Sequence, residues 1–259
     1  MEFKKLFTGK KGIIFGVANE KSIAWTIAKR LHEEGAYTVI SYQNEYFKKK
    51  MQGEIEKKRE RVGEVICDFS DESQIERLRG EVLKYIENID FLVHSLAFAP
   101  RQEFQNRFLD TTLEGYLLSQ KISVYSLLTL VQKLEQDLNN GCSILTLTFL
   151  GSEKVVPGYK IMGPVKASLE SCLRYLAYDL GERGIRINAI SAGPILTSAA
   201  KWIPDFQKML EHHQKTSPLK RNITLEEVAN TALFLLSDLA SGITGEIIHV
   251  DCGYHILSP

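Results

Sequence analysis

Several features that would assign a chain to a particular class are missing from these 259 residues. No apolar run approaches the roughly 18 residues that a membrane-spanning helix needs, so we expect no membrane partner. The 32 basic residues balance the 32 acidic ones, and this zero net charge gives no reason to expect a nucleic acid partner. The start, MEFKKLFTGKKG, lacks the apolar core of a secretory signal. We therefore expect a cytoplasmic protein.

Cysteine is also scarce. The four cysteines are isolated, with no CxxC pair and no neighbouring histidine at metal-ligand spacing. We predict reduced, structural thiols and no metal site. What the chain does contain is 44% hydrophobic and 25% charged residues, which is enough for the core of one ordinary domain.

Predicted strands alternate with predicted helices along the chain. The apolar run KKGIIFGVA predicts a first strand that ends at Gly16, and SIAWTIAKRLHEEG predicts a helix with Ser22 as N-cap. Further along, a long helix is predicted over roughly residues 113–138. This alternation predicts an α/β fold, a single-domain Rossmann-type doubly wound parallel sheet with helices on both faces, over residues 1–259.

A phenol and an ammonium stand seven residues apart at Tyr159 and Lys166. Seven residues is close to two helical turns, so we predict that both side chains leave the same face of one long helix. A phenol beside a fixed positive charge can hydrogen-bond an oxyanion that forms during a reaction. The strand that follows, RINAIS, breaks at Gly193-Pro194, and such strand ends on a parallel sheet are where cofactors sit. The alternative is that both side chains are surface residues of an ordinary helix.

With GVANEKSIAW near the start and GITGEIIHVDCG near the end, this pattern resembles the short-chain dehydrogenase/reductase superfamily. Within it, the chain resembles the enoyl-acyl carrier protein reductases of bacterial fatty acid synthesis, which place Tyr and Lys seven apart rather than four. The resemblance implies reduction of the trans-2 double bond of an enoyl thioester by NADH. Tyr159 would hydrogen-bond the enolate oxygen, and Lys166 would hold the nicotinamide ribose and add positive potential. It also implies acyl carrier protein as a partner and a homotetramer.

The turn after the first strand carries one glycine, Gly16, instead of the usual three. Glycine there lets the backbone approach a pyrophosphate, and the next helix offers N–H groups from Ser22 and Ile23 onward, as in the resembled family. The segment YQNE after the second strand has no cation for a 2′-phosphate, so we predict NADH, with Gln43 near the adenosine ribose. The alternative is that Gln43 is a plain loop residue. The resemblance implies the remaining cofactor contacts, which are Asp68, Phe69, Ser95, Leu96, Ala97, Ile195 and Thr197.

The resemblance also implies a substrate-binding lid over about residues 196–218. The implied substrate contacts are Ala99, Phe149, Tyr159, Met162 and Phe206. Met162 and Phe206 could equally be plain core residues. Three positions depart from the family: Phe149 stands where a second tyrosine is usual, Ala97 where glycine is common, and Cys252 where the last strand usually ends in Asp-Gly-Gly. Cys252 fits if its backbone angles are ordinary.

Three expectations complete the interpretation. Two cations that commonly serve the carrier protein are replaced by Pro204 and Gln207, while Lys201 and Lys208 remain. His212 and His213 point apart on a helix and are expected to be exposed. Two alternatives to the enoyl reductase stay open: a related oxidoreductase that acts on another enoyl or carbonyl compound in specialised metabolism, and a dinucleotide-binding regulator without turnover.

Overall fold

The structure, a computed structural model, describes residues 5–57, 59–197 and 200–257. The strands of these residues are β1 Lys11–Phe15, β2 Tyr37–Tyr42, β3 Val62–Ile66, β4 Ile89–His94, β5 Leu138–Thr148, β6 Arg186–Ala192 and β7 Ile247–Val250. They form one sheet in the order β3-β2-β1-β4-β5-β6-β7, and all neighbouring pairs are parallel. The order reverses between β1 and β4, which opens a crevice at the carboxyl ends of the strands.

Helices cover both faces of this sheet. The α-helices of the described residues are α1 Ile23–Glu33, α2 Glu45–Glu56, α3 Glu72–Leu83, α4 Arg101–Gln105, α5 Leu113–Gln120, α6 Ser126–Leu134, α7 Met162–Leu180, α8 Phe206–Thr216 and α9 Leu225–Leu236. Ile13 and Ile14 are consecutive in β1 and fully buried, yet they belong to opposite cores, because successive side chains of a strand point to opposite faces. The predicted doubly wound α/β fold is confirmed. No helix in the described ranges is long and apolar enough to cross a bilayer.

The prediction that Tyr159 and Lys166 share one helix is wrong. Lys166 lies in α7, but Tyr159 lies in the turn before that helix. Gly158 and Lys160, on either side of it, have φ angles of 84° and 46°, and this left-handed backbone cannot continue a helix. The side chain of Lys160 holds the turn, since its Nζ donates to the carbonyl oxygen of Phe104 at 2.8 Å. Tyr159 is therefore oriented by a turn and not by helical periodicity.

The helix predicted over residues 113–138 is interrupted and shorter. A single π-helical turn, Lys121–Tyr125, separates α5 from α6. Leu138 already belongs to β5, where it pairs with Ile89 of β4. The π turn places the hydroxyl of Ser123 between the backbone N–H and carbonyl of Phe98, at 2.9 and 3.0 Å. Such turns inside helices often mark functional sites.

The end of β7 also differs from the prediction. Cys252 has a φ of 56°, so the condition of ordinary angles is not met, and the residue adopts the left-handed conformation that glycine takes without strain. The carboxylate of Asp251 holds this turn, because it accepts hydrogen bonds from the backbone N–H groups of Gly253 and His255 at 2.9 and 2.8 Å. All four cysteines are free.

Candidate active site

Tyr159 and Lys166 are buried near the carboxyl end of β5. The Tyr159 ring packs against Phe149, which directly follows β5, with ring centroids 4.7 Å apart. Gly151 lies under the same ring, and a Cβ there would come within 2.4 Å of it. Nζ of Lys166 donates to the carbonyl oxygen of Leu147 at 2.8 Å. The structure thus brings the phenol, the ammonium and Phe149 to one strand end, as the sequence predicts for a shared site.

Burial sets the protonation states of this pair. It lowers the pKa of Lys166 to about 8, although the carboxylate of Glu170 opposes this change. Burial raises the pKa of Tyr159, and Glu170 raises it further. At neutral pH Tyr159 is therefore a neutral phenol that can donate a hydrogen bond, and Lys166 is mostly a cation. This is the arrangement that stabilises a developing oxyanion.

The turn after β1 leaves no space for a side chain at Gly16. Its φ is 93°, and a Cβ would lie 2.0 Å from the carbonyl oxygen of Ser95. Ser22 precedes α1 as predicted, but its hydroxyl donates to the carbonyl oxygen of Asn19 at 2.5 Å and makes no capping bond. The first N–H groups of a helix have no partner within that helix. The start of α1 at Ile23 therefore suits the pyrophosphate of a dinucleotide.

The predicted adenosine contacts lie in the loops that follow the neighbouring strands β2 and β3. Nε2 of Gln43 donates to the carboxylate of Asp68 at 3.0 Å, so the structure brings these two predicted residues together. Burial would raise the pKa of Asp68, but hydrogen bonds from Ser70 and Gln43 lower it on balance. Phe69 is buried with its ring edge on Phe15, at a centroid distance of 5.9 Å. Its side chain is therefore part of the core.

The loop after β4 carries Ser95, Leu96, Ala97 and Ala99. The backbone N–H of Ser95 donates to the carbonyl oxygen of Phe15 at 3.2 Å, which joins this loop to the β1 turn. Ala97 is exposed and Leu96 and Ala99 are half-buried. The fully buried Ser123 of the π turn fixes the loop through its two bonds to the Phe98 backbone. Sequence reasoning missed Ser123, because no local pattern indicates a bond to a residue 25 positions away.

The segment after β6 is held by its neighbour β7. The N–H of Gly193 donates to the carbonyl oxygen of Val250 at 2.8 Å. A Cβ at Gly193 would lie 3.1 Å from the Cα of Asp251. The half-buried Ile195 and Thr197 follow, and the hydroxyl of Thr197 accepts a bond from the N–H of Ala200 at 3.2 Å. Both residues therefore lie at the same carboxyl edge of the parallel sheet as the Gly16 turn, with β4 and β5 between β1 and β6.

A cavity of about 850 Å³ opens at the ends of β5, β6 and β7, beneath α8. Phe149, a predicted substrate contact, lines it, whereas the other four predicted contacts, Ala99, Tyr159, Met162 and Phe206, are not among its lining residues. Most of its apolar lining carries no local sequence signal, and this lining includes Leu150, Val155, Val156, Pro157, Pro194 and Met209. These residues come from three distant segments that only the fold brings together.

The two histidines of α8 also line this cavity. His212 is exposed as predicted, but His213 is buried, so that half of the prediction is wrong. Nε2 of His213 lies 3.0 Å from the carbonyl oxygen of Asp251, and its Nδ1 lies 3.0 Å from Oδ1 of Asn222. Burial is the larger influence on its pKa and lowers it. His213 therefore anchors α8 to the end of β7.

Comparison with known proteins identifies relatives along almost the whole chain. Residues 16–255 match the family described as Enoyl-(Acyl carrier protein) reductase. The enoyl-acyl-carrier-protein reductase (NADH) 1 of Rhizobium meliloti is 47% identical over 253 residues, which cover 96% of this chain and 92% of that protein. The crystal structure of the Anaplasma phagocytophilum reductase in complex with NAD has a TM-score of 0.93 and 45% identity, covering 100% of this chain and 98% of that one.

A further solved structure bears on the choice of dinucleotide. The Bacillus cereus enoyl-acyl carrier protein reductase, solved with NADP+ and indole naphthyridinone, has a TM-score of 0.95 and 42% identity to this chain. The match covers 98% of this chain and 100% of that one. The relatives thus agree on fold and family, and the two solved structures contain NAD in one case and NADP+ in the other.

Proposed function

This chain belongs to the enoyl-(acyl carrier protein) reductase family, and we propose that it reduces the trans-2 double bond of an enoyl thioester with NADH. The observation that carries this proposal is the buried site at the end of β5. There a neutral phenol, Tyr159, packs on Phe149, and a mostly charged ammonium, Lys166, is bonded to the Leu147 carbonyl. The product is a saturated acyl thioester.

Tyr159 and Lys166 have separate roles in this reaction. When bound, NADH supplies the hydride that C3 of the substrate accepts. Negative charge then develops on the thioester oxygen, and the Tyr159 phenol donates a hydrogen bond to it. Lys166 adds positive potential at the same strand end and would bind the nicotinamide ribose hydroxyls. A proton added at C2 completes the saturated product.

The residues that would hold NADH fit a dinucleotide at the crevice. The turn at Gly16 has no space for a Cβ, and α1 begins without a capping side chain. Three observations favour NADH over NADPH at the ribose. Asp68 presents a carboxylate whose pKa is lowered, and Glu45 adds a second carboxylate two residues after Gln43. The side chain of Asn44 already accepts hydrogen bonds from the backbone N–H groups of Tyr46 and Phe47 at the start of α2. The 2′-phosphate of NADPH would be repelled by the two carboxylates. It would also find N–H groups at the start of α2 already bonded to Asn44.

The cavity of about 850 Å³ supports an acyl substrate. Its mainly apolar lining can bury a hydrocarbon chain next to Phe149. We further propose that residues 1–259 act as one reductase domain, with residues 196–218 as the substrate lid. Ser198 and Ala199 of this lid, and the side chain of Lys201, lie outside the described residues. The lid's Lys208 forms an exposed ion pair with Asp205 at 2.8 Å.

The proposal extends to the substrate carrier and to the assembly. We propose acyl carrier protein as the carrier, because that is the substrate named for the family. A homotetramer is supported by exposed aromatic side chains on α7, where Tyr175 and Tyr178 are 74% and 85% exposed. Large exposed rings on one helix are typical of a protein interface. A cytoplasmic location stays a prediction.

One assay tests this proposal. Purified protein is mixed with a trans-2-enoyl thioester of acyl carrier protein or of coenzyme A, and loss of NADH absorbance is followed with NADPH in parallel. We expect consumption of NADH and little consumption of NADPH. Binding of NADH without turnover of any enoyl thioester would overturn the reaction. It would also favour the alternative of a related oxidoreductase with another substrate. The presence of Phe149, where the family usually has a tyrosine, points to the same alternative.

A further inference from the structure

A buried carboxylate lies one helical turn beyond Lys166. Glu170 follows Lys166 by four residues on α7, so the two side chains lie on the same face of the helix. Glu170 is 6% exposed and Lys166 is 5% exposed. Burial of a charged group is costly unless it is paired and hydrogen-bonded. No step of the proposed reaction uses Glu170, and its burial beside Lys166 therefore requires another explanation.

Two hydrogen bonds join this part of α7 to the end of β5. The hydroxyl of Thr148 donates to Oε1 of Glu170 at 2.5 Å, and Nζ of Lys166 donates to the carbonyl oxygen of Leu147 at 2.8 Å. Leu147 and Thr148 are consecutive, and the next residue is Phe149, which packs on Tyr159. The two bonds thus fix the catalytic helix and the substrate-facing strand end relative to each other.

Among the groups that influence the charge of Lys166, Glu170 is the one of opposite sign. Burial lowers the pKa of Lys166, and Glu170 is the group that opposes this effect. His94 of β4 also faces Lys166, but burial lowers the pKa of this histidine to about 3, so it is neutral. Its ring lies between the hydroxyls of Thr146 and Ser126, each at 2.8 Å. Tyr159 is neutral as well, because its pKa is raised.

We propose that Glu170 is a positioning residue of the active site. Thr148 holds its carboxylate on the same face of α7 as Lys166, where its charge keeps Lys166 protonated at the end of β5. Glu170 acts through Lys166 and touches neither the substrate nor the dinucleotide in this proposal. Its consequence for catalysis rests on the proposed function. The charge state of Lys166 does not, because it can be measured in the protein alone.

The direct test is an NMR titration of lysine side chains labelled with ¹³C at Cε, in the protein without dinucleotide. The Lys166 signal is identified by its loss in Lys166→Met. Glu170→Gln removes the charge and keeps an acceptor for Thr148, so we expect Lys166 to lose its proton at a lower pH than in the parent protein. The matched control is Asp179→Asn, which removes a carboxylate from an exposed position of the same helix and should leave the midpoint unchanged. Equal midpoints in all three proteins would overturn the proposal.

A second pair of variants tests the hydrogen bond and remains informative if Glu170→Gln does not fold. Thr148→Val removes the hydroxyl that holds Glu170, and Thr148→Ser retains it. We expect kcat/KM to fall in Thr148→Val by up to roughly 100-fold, because small displacements of catalytic groups are costly, and to be largely restored in Thr148→Ser. The alkaline limb of the pH profile should move to lower pH in the valine variant alone. Equal behaviour of both variants would refute the role of Thr148.

The two proposals fail in distinguishable ways. If the parent protein reduces no enoyl thioester but Lys166 still titrates lower in Glu170→Gln, the proposed reaction is wrong and the role of Glu170 stands. If the parent protein is active but Lys166 has the same titration midpoint in the parent and in Glu170→Gln, the proposed reaction stands and the role of Glu170 is wrong.

Discussion

Two regions at the same edge of the sheet are held in contrasting ways. One is the region proposed for catalysis, residues 147–151 and 158–166, here called the catalytic corner, and the other is the proposed lid, residues 196–218. In the catalytic corner the charged side chains are fixed to backbone carbonyls, Lys166 to Leu147 and Lys160 to Phe104. In the lid, Leu196 and Trp202 are more than half exposed. Asp205 precedes α8 with a left-handed φ of 55° and makes no capping bond.

This contrast assigns the rate of the chemical step to the catalytic corner and the binding of the acyl chain to the lid. Groups that stabilise a developing charge must be fixed, because they act only if they already point at the place where the charge appears. A segment that covers an acyl chain has to accommodate its length and shape. Substitutions in the catalytic corner should therefore change kcat, and substitutions in the lid should change KM.

The largest effect is expected for Tyr159→Phe. Loss of the phenolic donor should lower kcat by roughly 10²- to 10⁴-fold, since that is the usual contribution of a positioned donor or acid. Tyr178→Phe removes a hydroxyl from an exposed tyrosine of α7 and should leave kcat unchanged. Steady-state kinetics of both variants measure the difference, and equal rates would refute the role of Tyr159.

Gly16→Ala should damage the dinucleotide end of the crevice. The new Cβ would lie 2.0 Å from the Ser95 carbonyl at a φ of 93°, so we expect a loss of about 2 kcal/mol or more in unfolding free energy together with weaker NADH binding. The matched control is Gly53→Ala in α2, where a Cβ meets nothing within 4 Å. Denaturant unfolding and NADH fluorescence titration test both variants. A stable Gly16→Ala protein with unchanged NADH affinity would contradict this geometry.

The charge on Lys166 predicts the pH profile of kcat/KM. The group is a cation whose pKa is lowered to about 8, so it is charged below that pH and loses its charge as pH rises. We expect kcat/KM to be flat below about pH 8 and to fall roughly tenfold for each further pH unit. Lys166→Arg keeps a permanent charge, so any residual activity should lack this alkaline limb. Activity that rises through pH 9 would contradict the role of Lys166 as a cation.

A smaller gain is expected for Phe149→Tyr. The ring already packs on Tyr159 at 4.7 Å, so a hydroxyl there could add one hydrogen bond at the substrate oxygen. A net bond of about 0.5–1.5 kcal/mol corresponds to a roughly 2- to 10-fold higher kcat/KM on the enoyl thioester. Phe108→Tyr, at an exposed phenylalanine, is the control. A loss of activity would indicate that this pocket is shaped for a substrate other than the usual one.

The smallest effect is expected in the lid, for Trp202→Ala. The guanidinium of Arg101 lies 5.1 Å from the centre of the Trp202 ring, and such an exposed pair contributes about 0.5–1 kcal/mol. We expect KM to rise roughly 2- to 5-fold with kcat unchanged. A fall in kcat as large as that of Tyr159→Phe would remove the distinction between the two regions.

The fold was predictable because its signals are local. Buried runs such as KGIIF alternate with amphipathic helices, and this alternation alone indicates a doubly wound sheet. Gly16 was predictable for the same reason, since a glycine between a strand and a helix marks a close backbone approach. The family resemblance added the roles of Tyr159 and Lys166, which their spacing alone leaves open.

Other features depend on contacts between distant segments. The turn at Tyr159 requires a left-handed Lys160, whose side chain is held by the Phe104 carbonyl 56 positions away. His213 is buried because the end of β7 provides an acceptor for it. The cavity beneath α8 joins four segments, so Pro157 and Met209 carry no local sign of their role. Helical periodicity predicts none of these features.

The most direct test of the account is a hydride-tracing experiment. The protein is incubated with a trans-2-enoyl thioester and NADH that carries deuterium at both C4 positions, and the product is analysed by mass spectrometry and NMR. The account predicts a saturated acyl thioester with one deuterium at C3, formed rapidly by the parent protein and far more slowly by Tyr159→Phe. A product without deuterium at C3, or the same rate in both proteins, would contradict it.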